Sequence, residues 1–398
     1  MKAAIQLITT ALASYGLEEQ FYSQLKYLNK DLTRFHNDQA LSDRVRFFQE
    51  VWIAANEIEF CIFPAGLPQI PAFTKEYLET IGIDMRYRYV TSPERMQTAF
   101  KHINAPTEDK IPYLAHHVWL THPDKPKEML SQSTTNSKDG YEFHLNVTQR
   151  TLKQYNFTIY LWVNRIDLMP ETKRWADACG VMMREISEFQ GNQQYQPILN
   201  EIQLLIEQKQ FAAGADIARL LILYAHGGVY ADQDHTILEY DPILNKIDFF
   251  LYQWQNLGYP TVENSLIGSS PKNKFIFELL QQIVRNRQGE LIPHFESVCL
   301  QKSYYYILYE TGPHQFSRVF NKMLINRELE DQTYIILDSK IAYDGLDLQN
   351  HIFGDKYSNV VFKDKTHRLN VRFQHFLSGS WKDYDNEFKL FGWQNQNN

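Results

Sequence analysis

Four charged residues within the 28-residue stretch from Phe211 to Leu238 carry the chemistry most open to reading in this chain. Asp232 and Asp234 stand two apart in Asp232-Gln233-Asp234. If the short apolar run before them stays extended, both carboxylates face one side, and two like charges so close raise each other's pKa unless a cation sits between them. A hard divalent ion with oxygen ligands, Mn²⁺ or Mg²⁺, answers that need, and such ions keep waters and bridge to substrate phosphates. Asp216 and Arg219 are three apart and share one helix face. They either pair with each other or both point into a site, because burying unpaired charge is costly.

The elements that hold these four residues are legible too. Phe211 to Ala225 is apolar at nearly every position apart from Asp216 and Arg219, so it reads as a helix buried on most of its surface. Gly227 and Gly228 end that helix, since glycine takes the left-handed conformation that a C-terminal cap requires. Val229-Tyr230-Ala231 then forms a short strand that delivers the two carboxylates.

A bare D-x-D is a common acidic turn, and after an apolar strand Asp232-Gln233-Asp234-His235-Thr236 also fits the D-x-D-x-T of haloacid-dehalogenase-type phosphatases, with Asp232 as nucleophile. The surrounding residues separate the two. Ala215-Asp216-Ile217-Ala218-Arg219, Ile222-Leu223-Tyr224, Gly227-Gly228-Val229-Tyr230 and Asp232-Gln233-Asp234 together resemble the sugar-binding region of D-x-D glycosyltransferases: the large clostridial glucosylating toxins, related bacterial effectors and the fungal α-mannosyltransferase-like enzymes. The resemblance implies an α/β fold of the GT-A, Rossmann-like type, a nucleotide-sugar donor and a divalent metal held by Asp232 and Asp234. It also implies that Asp216 and Arg219 orient the sugar and that Tyr230 lies at the donor site.

Further segments resemble the same enzymes in the same order. Ile111 to Leu120 reads as a buried first strand; its I-P-x-x-x-H-x-x-W pattern implies that Trp119 stacks on the nucleotide base and that the Val118 backbone meets the base edge. A core tryptophan is the plainer reading of Trp119. Phe143 to Tyr155 reads as a helix and Phe157 to Asn164 as an alternating strand. The end of that strand, Asn164, is either a nucleotide contact at the carboxyl edge of the sheet or a loop cap. Asp248 to Tyr252 reads as another strand, and residues 165 to 210 as helical and charged.

Glu263 to Pro271 resembles a turn before a helix, in which Asn264 bonds the sugar or holds its own loop as an Asx turn. Phe275 to Arg287 has helical spacing, and Glu310-Thr311-Gly312-Pro313 resembles a T-G-P turn lining the acceptor side. Near the C-terminus Gln374 to Trp381 resembles a closing H-x-x-x-G-S-W motif. It implies His375 as a third metal ligand, Ser380 on a phosphate and Trp381 against the β-phosphate and sugar. The toxins use a carboxylate where this chain has His375.

The 398 residues accommodate a catalytic domain, expected at 106–398 with helical insertions, behind a helical N-terminal subdomain at 1–105. The net charge of −7 argues against a nucleic-acid binder that works by neutralising phosphates. Cys61, Cys179 and Cys299 match no metal spacing and read as buried thiols of a reducing compartment. The first fifteen residues have a thin signal-peptide character, but polar interruptions favour an amphipathic helix. The toxins use an N-terminal bundle at the membrane; here no dense basic amphipathic face supports such contact.

The expected function is metal-dependent, configuration-retaining transfer of a hexose, glucose or N-acetylglucosamine, from a UDP-sugar to a hydroxyl. The acceptor reading is a host protein, such as a small GTPase, for a secreted toxin or effector acting in the host cytosol. The alternatives are a cytoplasmic bacterial enzyme of polysaccharide synthesis, and the phosphatase.

Overall fold

The structure, a computed structural model, describes residues 88–90, 93–104, 106–130, 141–256, 259–285, 287, 310–337 and 373–375. These residues fall in one compact unit, residues 86–287 with 307–381. Most of the expected N-terminal helical segment, Cys61, Cys299, Ser380 and Trp381 lie outside the described residues.

Eight strands form one mixed sheet: β1 Tyr89–Val90, β2 Leu114–Trp119, β3 Thr158–Val163, β4 Met182–Glu185, β5 Gly228–Ala231, β7 Phe249–Asn256, β8 Tyr259–Ser269 and β9 Tyr334–Leu337, in the order β1-β9-β7-β8-β5-β2-β3-β4. A separate pair joins β6 His235–Ile237 to β10 Phe373–His375. The helices are α1 Pro93–His102, α2 Tyr141–Lys153, α3 Pro170–Cys179, α4 Gln196–Glu207, α5 Phe211–His226, α6 Lys274–Arg285 and α7 Pro313–Ile325. Among the described residues, no helix is long and apolar enough to cross a membrane.

Strands β4, β3, β2 and β5 run parallel, and β8 is antiparallel to β5 and β7. The chain runs outward from β2 to β3 and β4, then returns to place β5 on the other side of β2. This reversal makes the carboxyl ends of β2 and β5 the crevice where open α/β sheets bind ligands. Trp119 ends β2, and Asp232 follows β5.

The glycine pair serves close approach as well as helix termination. Gly227 has φ +66, and a Cβ there would lie 2.7 Å from Pro271 and 2.9 Å from Pro112. Gly228, at φ +103, would bring a Cβ to 2.4 Å from the Leu114 carbonyl. Gly228→Ala should therefore lower stability by at least about 3 kcal/mol, read as a shift in denaturant midpoint at constant m-value.

Two buried histidines lock β2 to this turn. His116 Nε2 donates to the Gly227 carbonyl at 2.9 Å while its Nδ1 accepts from Trp162 Nε1 at 3.1 Å, so both ring nitrogens are used and the neutral ring is required. His117 Nδ1 donates to the Ala231 carbonyl at 2.7 Å. Burial lowers His116 to about 3 and His117 to about 4.

Several expectations change in detail. The charged stretch 165 to 210 contains α3 and α4 but also strand β4. Residues Glu263 to Ser269 lie in an eleven-residue strand rather than in a turn. Gly268 sits there because a Cβ would lie 1.9 Å from the Phe250 ring; the glycine marks a close ring contact across the sheet. Cys179 is half-buried, and its thiol donates to Asn146 Oδ1 at 3.5 Å.

Candidate sugar-donor site

The two aspartates lie in a turn, not in a continued strand. Strand β5 stops at Ala231, and the Asp232 carbonyl accepts the His235 N–H at 3.0 Å, closing a β-turn around Gln233 and Asp234. The Gln233 amide donates to the Val118 carbonyl at the end of β2, and the Asp232 N–H donates to the Ser265 carbonyl of β8 at 2.9 Å. The turn is thus fixed from strands on both sides. Val118, expected at the base edge, has its carbonyl engaged by Gln233.

Asp216 and Arg219 pair with each other, and Arg219 also reaches beyond its own helix. Arg219 pairs with Asp216 at 2.7 Å and also reaches Asp232 Oδ1 at 3.3 Å, so one guanidinium ties helix α5 to the turn after β5. It donates to the Asn264 carbonyl at 2.5 Å and lies over the Tyr230 ring at 4.6 Å. Tyr230, fully buried, donates its hydroxyl to Asp232 Oδ1 at 2.5 Å. Asn264 Nδ2 donates to Asp216 Oδ1 at 2.9 Å, so this side chain holds the helix carboxylate rather than its own loop.

Asp216 and Arg219 are each only 5% exposed. Desolvation pushes Asp216 up to about 7, against the pull of Arg219, Thr311 and Asn264. Burial opposes the charge on Arg219, but Asp232, Tyr230, Asp216 and Glu263 together outweigh it and the guanidinium is held charged. The cluster Asp216-Arg219-Asp232-Tyr230-Asn264 is a preorganised network with its hydrogen bonds already made. The more open carboxylate is Asp232, whose side chain is 24% exposed.

The nearby groups hold opposite consequences for pH. The unfolded chain takes up protons on His116 and His117 near pH 6.5 that the folded chain refuses until about pH 3 to 4, so their contribution is lost as pH falls from about 6.5. Asp216 acts the other way, since its raised pKa stabilises the fold as pH drops from about 7. Between pH 7.5 and 4.5 the two histidines should remove about 5 kcal/mol and Asp216 return about 3 kcal/mol. Denaturant titrations of the metal-free protein should accordingly show a steeper acid loss for Asp216→Asn than for the unaltered chain.

The remaining expected site residues fall as follows. Trp119 is half-buried, donates Nε1 to the Lys127 carbonyl at 3.0 Å and meets Tyr141 edge-on at 5.8 Å. Asn164 is occupied at both ends by Thr121, accepting its N–H at 3.0 Å and donating to its carbonyl at 2.8 Å. That is the loop-capping arrangement. The backbone of His375 stands opposite His235 in the β10–β6 ladder, which brings the closing segment alongside the residue that follows Asp234.

Strand β6 is held on its other side by α2. Thr148 Oγ1 accepts from the Ile237 N–H at 3.0 Å, and His144 Nδ1 meets Thr236 Oγ1 at 3.0 Å. Neither threonine nor histidine stood out in the sequence, because each works through contacts to a strand about 90 residues away.

The all-oxygen pair Asp232 and Asp234 suits a hard divalent ion that keeps waters and binds substrate phosphate. Among the described residues no group of three or more His, Cys, Asp or Glu is placed to hold a metal ion.

Residues 113–249 match the family described as "Glycosyltransferase sugar-binding region containing DXD motif". The chain is 30% identical over 115 residues to inositol phosphoceramide mannosyltransferase 1 of Schizosaccharomyces pombe, a match spanning 27% of this chain and 35% of that protein. Among solved structures it is similar to the PaToxG glycosyltransferase, at 16% identity and a TM-score of 0.42, covering 58% of this chain and 79% of that one. It is also similar to the UDP-bound glycosyltransferase domain of the YGT toxin, at 12% identity and a TM-score of 0.39, covering 57% and 80%.

Proposed function

We propose that this chain, whose residues 113–249 match the D-x-D sugar-binding region of glycosyltransferases, transfers a hexose from a UDP-sugar to a hydroxyl acceptor. The observation that carries the reading is the Arg219 guanidinium bridging Asp216 on α5 and Asp232 after β5. A donor-sugar site needs helix and turn held as one unit; a phosphatase nucleophile does not need its carboxylate tied to an arginine. The family match also runs upstream through β2 to β4, the region that a phosphatase reading leaves unexplained.

In this reading Asp234 and Asp232 hold Mn²⁺ or Mg²⁺, which supplies charge for the departing diphosphate. Arg219, already charged and oriented, presents a rigid fork of donors to sugar hydroxyls. Asp216 acts mainly by fixing that fork, because three donors already occupy its two oxygens. Trp119 offers a ring beside the crevice for the base. Retention follows from front-face attack with the diphosphate as base, as related enzymes work.

The acceptor reading is a protein hydroxyl, with a host small GTPase as the first candidate and a secreted effector as the setting. The test incubates the purified protein with Mn²⁺ and isotope-labelled UDP-glucose or UDP-N-acetylglucosamine, alone and with host lysate, followed by mass spectrometry. Hydrolysis of one donor and a labelled protein band are expected. Phosphate release from p-nitrophenyl phosphate without UDP-sugar turnover would sink the reading.

A further inference from the structure

The Glu310-Thr311-Gly312 turn, expected to line the acceptor side, does something else in the structure. Thr311 is fully buried and donates its hydroxyl to Asp216 Oδ2 at 2.7 Å. Asp216 Oδ1 already takes Arg219 and Asn264, so Thr311 fills the opposite oxygen and fixes the carboxylate plane. A hydrogen bond to an ionised carboxylate is short and strong, and more so where water is excluded.

The turn is itself clamped. Arg287, beyond the end of α6, pairs with Glu310 at 2.9 Å and with Glu201 of α4 at 2.8 Å, and all three side chains are at most 15% exposed. Helix α7 begins directly after the turn at Pro313 and packs on α6 and β8. A continuous polar chain therefore runs from Glu201 through Arg287 and Glu310 to Thr311, Asp216, Arg219 and Asp232. Three separate parts of the sequence meet in it.

We infer that Thr311 is a positioning residue for sugar transfer: held by the Arg287 clamp, it sets the Asp216 carboxylate, and through Asp216 the Arg219 fork. This deepens the proposed function and rests on it. Thr311 acts on the sugar half of the donor and not on the nucleotide half, since Asp216 and Arg219 lie on α5 whereas the residues expected at the base lie at the end of β2.

The test compares Thr311→Val, Thr311→Ser, Asp216→Asn and Asp216→Asn/Thr311→Val. Each is assayed for Mn²⁺-dependent hydrolysis of UDP-glucose and UDP-N-acetylglucosamine, for binding of UDP alone, and for thermal midpoint. Thr311→Val should lower kcat roughly 10- to 100-fold, the range set by one hydrogen bond to a charged group, and leave UDP affinity unchanged. Thr311→Ser should restore most of the rate, and in the Asp216→Asn background the valine should add no further loss. A lowered midpoint with unchanged kinetics, an equal loss of UDP affinity, or a full valine effect in the Asp216→Asn background would each overturn the inference. If the unaltered protein hydrolyses neither donor, the functional reading fails and this inference with it, an outcome distinct from a normal enzyme indifferent to Thr311.

Discussion

Replacing both Asp232 and Asp234 by alanine should abolish Mn²⁺-dependent turnover of the UDP-sugar, with a loss of at least about 10³-fold in kcat/KM. The expectation follows from where the two carboxylates sit. The β-turn at 232–235 hangs between β2 and β8 through its Gln233 and Asp232 hydrogen bonds, so truncating the acidic side chains leaves the backbone anchors in place. The fold should survive with a lowered thermal midpoint, because Tyr230 and Arg219 lose Asp232 as acceptor, and calorimetry should show loss of Mn²⁺ binding. Asp232 also receives Tyr230 and Arg219, so Asp232→Ala removes a metal ligand and leaves the Tyr230 hydroxyl and part of the Arg219 charge without their acceptor. Asp232→Ala should therefore cost stability as well as activity. Unchanged Mn²⁺ affinity and hydrolysis in the double variant would remove the metal-site reading.

The second large effect concerns Arg219. Arg219→Met strands the buried Asp216 carboxylate, and breaking a buried pair from one side typically costs about 3 to 5 kcal/mol. The Asn264 carbonyl and the face of Tyr230 lose their cation too. Adding Asp216→Asn removes the uncompensated charge, so the double variant should recover much of the lost stability while staying inactive, a coupling that a double-mutant cycle in denaturant resolves. Arg219→Lys is the sharper probe of function. A single ammonium cannot span Asp216, Asp232 and the Asn264 carbonyl as the fork does, and turnover should fall about 10²-fold with a smaller stability loss. Additive stability effects, or an active lysine variant, would show that the bridge is packing rather than site chemistry.

Much of this site was legible from local pattern. The apolar run of α5 with two charges three apart, the glycine pair and the D-x-D follow one another without a break, so helix, turn and carboxylates are all specified by near neighbours in sequence. Strands β2, β3 and β7 announced themselves by buried apolar runs of the right length. The misreadings share one cause. Residues 259–269 carry Pro, Asn, Ser and Gly, a turn composition, yet form a central strand because neighbours on both sides pair with them and the Phe250 ring requires the glycine. Strand β4 hid in a charged stretch because it is an edge strand whose side chains stay partly exposed. Asn164 was open in the sequence as a nucleotide contact or a loop cap, and its amide bonds Thr121 at both ends.

The sequence by itself determined the helix that bears Asp216 and Arg219, the glycine turn, the strand before the carboxylates and the hard-cation character of the pair. Each depends on residues within a few positions of one another. Only the tertiary structure decided that the two aspartates sit in a β-turn and that Arg219 spans from α5 to Asp232. It alone brought Asn264 and Thr311 onto the two oxygens of Asp216, and the backbone of His375 beside His235. Those contacts join residues 48, 95 and more positions apart, where no periodicity can register them. They form because a buried carboxylate must collect donors from whatever elements the fold packs around it.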